Sequence, residues 1–87
     1  MTRYQRTDTW VGSQVDESFV LLHIDDGNYV ALNATATAIW DRLAAPQTAA
    51  EIVDGLAVEF VVERSVCEAS VAKCLEQMVH MRLVAPV

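Results

Sequence analysis

Residues 27–40, "GNYVALNATATAIW", change from the period of a strand to the period of a helix without a linker. Tyr29–Leu32 is a short run with β-branched and aromatic character, which is typical of a strand. Asn33 follows at once, and an asparagine at this point can accept hydrogen bonds from the free amides of a first helical turn. From Ala36 onward apolar residues recur at i, i+3, i+4 and i+7. The chain must therefore place an extended strand directly before a helix.

The segments before this stretch predict two further strands. Residues 9–15 form a short candidate strand, and residues 18–24 form an apolar one without glycine or proline. Residues 25–28, "DDGN", read as a tight turn, because Gly27 accepts a positive φ at no steric cost. Strands joined in this order pair as antiparallel hairpins, and residues 29–32 then form the last strand.

Three helices are predicted after the strands. The first covers about residues 34–44. Thr48–Glu51 reads as a capping box that opens a second helix to about Phe60, and Ser65–Glu68 reads as another that opens a third helix to about Met81. The predicted fold class is α+β: a three-stranded antiparallel sheet followed by three helices, similar to a winged helix-turn-helix.

The length of the chain limits the number of domains, and its net charge limits the kind of partner that it can bind. Eighty-seven residues allow one domain. We expect a flexible tail over 1–8, in which Arg3 and Arg6 only aid solubility, and a single winged-helix-like domain over 9–87. The net charge of −6 repels nucleic acid and favours a cationic partner. No signal-like segment and no apolar run of ~20 residues are visible, so we expect a cytoplasmic protein without membrane contact.

Catalytic and metal-binding groups are few. A nucleophilic pair of Cys67 or Cys74 with His23 or His80 is conceivable, as is a zinc site made of all four. The cysteines are seven residues apart, whereas zinc ligands come as closer pairs. On one helix they would be about 10 Å apart, too far for a disulfide. We therefore expect two reduced core cysteines, no catalytic residue, no metal and no cofactor.

A winged-helix DNA-binding regulator is the alternative function. A recognition helix needs cationic or amide side chains for phosphates and base edges. The polar face of the third helix has two acidic residues and only one lysine, which is unfavourable for that role. Its members are Glu68, Ser70, Lys73, Glu76, Gln77 and His80.

The last strand indicates a different use. If the strands pair in sequence order, residues 29–32 lie at the sheet edge, and they contain none of the charges, prolines or bulges that usually block an edge. Three explanations are open for such an edge. It is tolerated because it is short, it pairs with a second copy in a homodimer, or it accepts an extended peptide as a further strand. The third helix also has an apolar arc of roughly 180°, wider than one core contact requires. The predicted peptide-binding residues are Tyr29, Val30, Ala31, Leu32, Cys67, Ser70, Val71, Cys74, Gln77 and Met78.

Three segments, "LNATATAIWDRL", "TAAEIVDGLAVEF" and "SVAKCLEQMVHMRLV", together resemble the PqqD-like family, the recognition elements for ribosomally synthesised and modified peptides (RiPPs). The resemblance covers about residues 18–85. Two positions depart from the family pattern: Ser70 stands where an acidic residue is usual, and Arg82 where a glycine is usual. The positions that carry the resemblance are Leu32-Asn33, Ala36, Ile39-Trp40, Thr48, Glu51-Ile52, Leu56, Phe60, Leu75, Met78 and Leu83-Val84.

The resemblance implies a function. Members of this family are not enzymes; they bind the leader segment of a precursor peptide as a strand in the cleft between the third strand and the third helix. They then present the precursor to a leader peptidase, a cyclase or a radical enzyme of the same pathway. Freestanding members serve the assembly of lasso peptides or of pyrroloquinoline quinone, and the segment "DDGNYVALN" is more similar to the lasso type.

Overall fold

The computed structural model describes residues 2–87 and has an α+β fold, which confirms the predicted fold class. Three helices follow a hairpin sheet, and short strands join the two ends of the chain. In chain order the elements are β1 (Arg3–Arg6), β2 (Trp10–Val15), β3 (Ser18–His23), β4 (Tyr29–Leu32), α1 (Ala34–Arg42), β5 (Gln47–Thr48), α2 (Ala49–Phe60), α3 (Arg64–His80) and β6 (Val84–Pro86).

The predicted three-stranded antiparallel sheet is present in the order β2-β3-β4. The β3–β4 register pairs Leu21 with Val30, and Gly27 turns the chain between these strands with φ of 76°. Side chains alternate between the two faces of a strand. Leu21 and Leu32 accordingly point into the core, while Leu22 is half exposed on the outer face.

A second sheet, in the order β5-β1-β6, was not predicted. Arg3–Arg6 pairs with β5 on one side and with the C-terminal strand β6 on the other. The predicted flexible tail over 1–8 is therefore wrong for residues 3–6; Met1 lies outside the described residues. Partners as short as two and three residues, about 40 and 80 positions away, leave no local pattern in the sequence.

Arg6 is a structural residue and not a solubilising one. Its Nε atom donates to the carbonyl oxygen of Trp40 at 2.8 Å, and its guanidinium lies 4.5 Å from the centre of the Trp40 ring. A guanidinium over an indole is held both by the ring quadrupole and by its apolar contact. Arg6 thus fixes β1 against α1, and the expectation of a merely solubilising role is wrong.

Two of the three predicted helix starts are as expected. The Asn33 side chain accepts from the amide of Ala36 at 2.8 Å, and Thr48 forms the reciprocal capping box of α2. The predicted box at Ser65–Glu68 is wrong, because the N-cap of α3 is Glu63, two residues before Ser65, and the described residues provide it no side-chain cap. Glu68 instead accepts from Arg64 at 3.1 Å, one helical turn before it.

The core lies between the β2-β3-β4 sheet and the three helices. Trp40 and Leu75 lie in it, with exposures of 4% and 3%. The largest fully buried side chains come from the sheet, from all three helices and from the segment that leads into β6. They are Leu21, Ile39, Leu43, Ile52, Val71, Leu83 and Val84.

Candidate functional site

Within residues 2–87, the edge strand β4 is hydrogen-bonded to another strand on one side only. The amide of His23 donates to the carbonyl oxygen of Asn28 at 2.7 Å, just before β4 begins. Hydrogen-bonded pairs in an antiparallel ladder recur at every second residue, so Val30 is the next residue whose backbone faces β3. The N–H and C=O groups of Tyr29 and Ala31 therefore point away from β3.

The other side of β3 supports this assignment. The amide of Ile24 donates to the carbonyl oxygen of Thr9 at 3.0 Å, which places the even-numbered residues of β3 in the ladder with β2. The odd-numbered residues are then left for β4, in agreement with the bond from His23 to Asn28. Within residues 2–87 no strand pairs with the outer edge of β4. Its free hydrogen-bonding groups number about four, two from each outward residue.

Two separate depressions lie along α3 near this edge, one beside the start of β4 and one beside the start of α1. The first, of about 600 Å³, lies between the start of β4 and the end of α3, where Tyr29 faces Met81. The second, of about 350 Å³, lies between Asn33 and the middle of α3, where Cys74 is part of the wall. We call the two together the β4–α3 groove. On α3 and just beyond it, its lining residues are Ser70, Lys73, Cys74, Gln77, His80, Met81 and Arg82.

The predicted site residues on β4 divide between the edge and the core. Tyr29 and Ala31 are exposed, and Val30 is partly buried. Leu32 is only 8% exposed and points inward, so its side chain packs in the core. Tyr29 and Ala31 therefore offer outward backbone groups at this edge, whereas the side chain of Leu32 belongs to the core.

The predicted site residues on α3 are also split. Ser70 and Gln77 are exposed and Cys74 is half-buried, and all three line the groove. The other three have their side chains inside: exposure is 5% for Cys67, 1% for Val71 and 2% for Met78. None of those three residues lines the β4–α3 groove; Cys67 and Val71 instead lie at the floor of a separate depression of about 270 Å³ between α2 and α3. The apolar arc of α3 is wide because α2 and the β6 segment both cover it.

Several groove residues were not predicted from the sequence. Lys73 lies three residues after Ser70 and four before Gln77, so helical spacing around the predicted residues identifies it. His80 lies three residues after Gln77 on the same helix, so the same spacing identifies it. Trp10 lies on a distant strand that no local pattern connects to the groove, and Arg82 was noted only as a departure from the family pattern. The indole Nε1 of Trp10 is buried beside the groove without a hydrogen-bond partner among the described residues.

The chemistry of the described residues is that of a binding surface. Burial raises the pKa of the Cys74 thiol, which keeps it protonated near neutral pH, whereas a nucleophilic cysteine needs a lowered pKa. Both cysteines are free, and no three His, Cys, Asp or Glu side chains of residues 2–87 come together as a metal site. In that same range, no helix has the length and apolar character needed to cross a membrane.

The structure does not favour the DNA-binding alternative. Arg64, at the start of α3, lies 2.6 Å from Asp54 and 3.1 Å from Glu68, so its charge is already paired. The exposed acids Glu68 and Glu76 outnumber the remaining lysine of this helix. A helix with this charge balance would be repelled by phosphates.

The fold and the groove define a small α+β domain with an edge strand open to strand addition. A family model described as coenzyme PQQ synthesis protein D (PqqD) matches residues 18–84, and the chain belongs to this family. The resemblance seen in the sequence is thereby confirmed. No curated protein sequence matches the chain.

Two solved structures are similar over nearly the whole chain. One is described as TbiB1 in complex with the TbiA(beta) leader peptide; it is 30% identical, with a TM-score of 0.80, and the match covers 92% of this chain and 93% of that one. The other is described as lasso peptide synthetase B1 complexed with the leader peptide. It is 28% identical, with a TM-score of 0.81, and the match covers 95% and 98%.

Proposed function

We propose that this protein binds the leader segment of a ribosomally synthesised precursor peptide by strand addition to β4. The observation that carries the proposal is the outward direction of the Tyr29 and Ala31 backbone groups beside an open groove. An extended peptide gains affinity from such main-chain bonds and specificity from pockets next to the edge. The two similar structures, each described as a leader-peptide complex, support it.

The energetics are sufficient for useful affinity. Four backbone hydrogen bonds, at about 0.5–1.5 kcal/mol net each, contribute about 2–6 kcal/mol. An apolar leader side chain buried against Cys74 or Met81 contributes about 1–3 kcal/mol. Ordering of the flexible leader offsets a large part of the total. A binding free energy near −8 kcal/mol, or a dissociation constant of about 1 μM, is consistent with these terms.

The proposal includes the role of the complex. The protein acts as a recognition partner and not as a catalyst, and it presents the precursor to a leader peptidase, a cyclase or a radical enzyme. The similarity to lasso peptide synthetase B1 favours the lasso pathway and its leader peptidase. The predicted compartment is the cytoplasm, where free cysteines stay reduced. Pairing of two β4 edges in a homodimer would compete with the leader for the same backbone groups.

Cys74→Trp tests the position of the groove. The indole would fill the depression beside the end of β4, and we expect leader affinity to fall at least tenfold, or about 1.4 kcal/mol. Stability should fall only modestly, because Cys74 is half-buried and faces an opening. The probe is the fluorescein-labelled leader segment of a candidate precursor peptide. Anisotropy titrations and circular-dichroism melts on the same samples give both quantities.

The matched control is Ala72→Trp. Ala72 is exposed on α3 and is not among the groove residues, so affinity should stay within about twofold. If Cys74→Trp does not fold, Gln77→Trp places the same ring in the groove from an exposed position. Unchanged leader affinity in folded Cys74→Trp or Gln77→Trp would place the leader on another surface.

A further inference from the structure

Arg82 has a backbone conformation that favours glycine. Its φ of 63° lies in the left-handed region, directly after α3. Glycine adopts this conformation at a helix end with the least strain. Two contacts hold the backbone there: the Arg82 amide donates to the carbonyl oxygen of Val79 at 3.0 Å, and Thr7 Oγ1 donates to the Arg82 carbonyl at 2.8 Å. The fold therefore fixes the turn, but it does not require an arginine side chain in it.

Arg82 lines the groove at the start of β4, in a depression that it shares with the edge residues Tyr29 and Val30. A segment added along β4 would pass this residue. Among the described residues that line this depression, Arg82 is the one lysine or arginine, in a protein whose net charge is −6.

The single carboxylate among the described lining residues, that of Asp26, makes its contacts within the turn between β3 and β4. Asp26 Oδ1 accepts from the Asn28 amide at 3.0 Å and lies 3.1 Å from Nδ1 of His23. No carboxylate of residues 2–87 lies within salt-bridge range of Arg82. Arg82 is thus an exposed lining residue whose charge is unpaired within residues 2–87.

The other basic residues show that this is unusual for the protein. Of its six lysines and arginines, the four arginines away from the groove all form ion pairs, and in the described part of the chain Lys73 and Arg82 form none. Lys73 lines the second depression, at the end of β4. In a protein with twelve acidic residues, the two unpaired cations therefore both lie in the β4–α3 groove.

We propose that Arg82 is a specificity-determining residue that binds an acidic side chain of the leader lying along β4. This inference rests on the proposed function and adds the chemistry of one leader position, an Asp or Glu near the start of β4. A guanidinium binds a carboxylate in a bidentate, charge-assisted pair, which fixes register as well as charge. The same acidic residue would be selected against if position 82 carried a negative charge.

The test uses random peptides, so the leader sequence need not be identified first. Peptides that bind are selected from an mRNA-display library of random 16-residue peptides, separately for each of four proteins. These are the wild type, Arg82→Glu, Lys73→Glu and Ala31→Pro. The proline of Ala31→Pro removes an outward amide of β4. We expect the wild-type pool to be enriched in Asp or Glu at one position of the selected motif. Arg82→Glu should reverse that preference to Lys or Arg, whereas Lys73→Glu should leave it in place.

A second measurement separates recognition from structure. The best wild-type peptide is compared with its Glu→Gln or Asp→Asn variant, and the loss for wild-type protein should be about tenfold. Arg82→Gly should bind both peptides equally, and it should melt at a higher temperature because glycine suits the left-handed turn. A purely structural arginine would show the opposite: lower stability and equal weakening of every peptide.

The outcomes distinguish the two proposals. The selected motif can depend on the free β4 edge and yet show no acidic preference, or keep that preference in Arg82→Gly and Arg82→Glu. Either result overturns the role of Arg82 and leaves leader binding intact. The role of Arg82 is also overturned if Lys73→Glu removes or reverses the acidic preference and Arg82→Glu does not. If no peptide is enriched, or Ala31→Pro retains the wild-type motif at wild-type affinity, strand addition to β4 fails and the role of Arg82 fails with it.

Discussion

Ala31→Pro should weaken leader binding at least 100-fold and leave the domain folded. The Ala31 amide points away from β3, so proline removes a donor that the native sheet does not use. A peptide strand would lose that hydrogen bond and meet the proline ring at the same point. A 100-fold loss corresponds to about 2.8 kcal/mol. Calorimetric titration of the leader gives the affinity, and a thermal melt shows that the fold is retained.

Two variants make this result specific to the outward amide. Ala31→Val retains the N–H at the same position and should bind within about threefold of wild type. Val30→Pro removes an amide that faces β3, so it should lower the melting temperature, unlike Ala31→Pro. Wild-type affinity in a folded Ala31→Pro protein would exclude strand addition at β4.

Trp40→Ala should remove most of the folding stability. Trp40 is 4% exposed in the core, and its ring also supports Arg6, which anchors β1 to α1. Replacement of a buried tryptophan by alanine costs about 3–5 kcal/mol. Small domains have total stabilities near the lower end of about 5–15 kcal/mol. Urea unfolding followed by circular dichroism should show a large loss or no folded baseline.

The matched control for this loss is Leu22→Ala. Leu22 is also a large apolar residue, but it is 47% exposed on the outer face of the sheet. Its replacement should change the free energy of unfolding by about 0.5 kcal/mol or less. A cost below about 1 kcal/mol for Trp40→Ala would mean that the ring does not hold the core together.

The main elements could be predicted because each has a local cause. Asn33 and the Thr48–Glu51 pair satisfy free amides at helix starts, and Gly27 supplies a positive φ between two apolar strands. The second sheet has no such cause. Arg3–Arg6 becomes a strand because Gln47–Thr48 and Val84–Pro86 lie on its two sides, and the second of these pairings spans almost the whole chain. Long-range pairing of such short strands is invisible to periodicity.

The candidate site was predicted only in part, for a similar reason. Strand order and the unblocked "YVAL" segment were sufficient to predict a free edge, and β4 is the edge strand. The apolar arc of α3 did not reveal which part of it packs inside. Val71 and Met78 are buried, whereas Cys74 borders the groove. The left-handed turn at Arg82 depends on contacts with Thr7 and Val79 that no sequence pattern contains.

Amide hydrogen exchange of Tyr29 and Ala31, measured by NMR with and without saturating leader peptide, is the most direct test of strand addition. Both amides point away from β3 and lack a strand partner within residues 2–87, so they should exchange rapidly in the free protein. In the complex they should become protected at least tenfold, while the Val30 amide, which faces β3 in both states, should change little. If Tyr29 and Ala31 exchange as fast in the saturated complex as in the free protein, the leader does not add to β4.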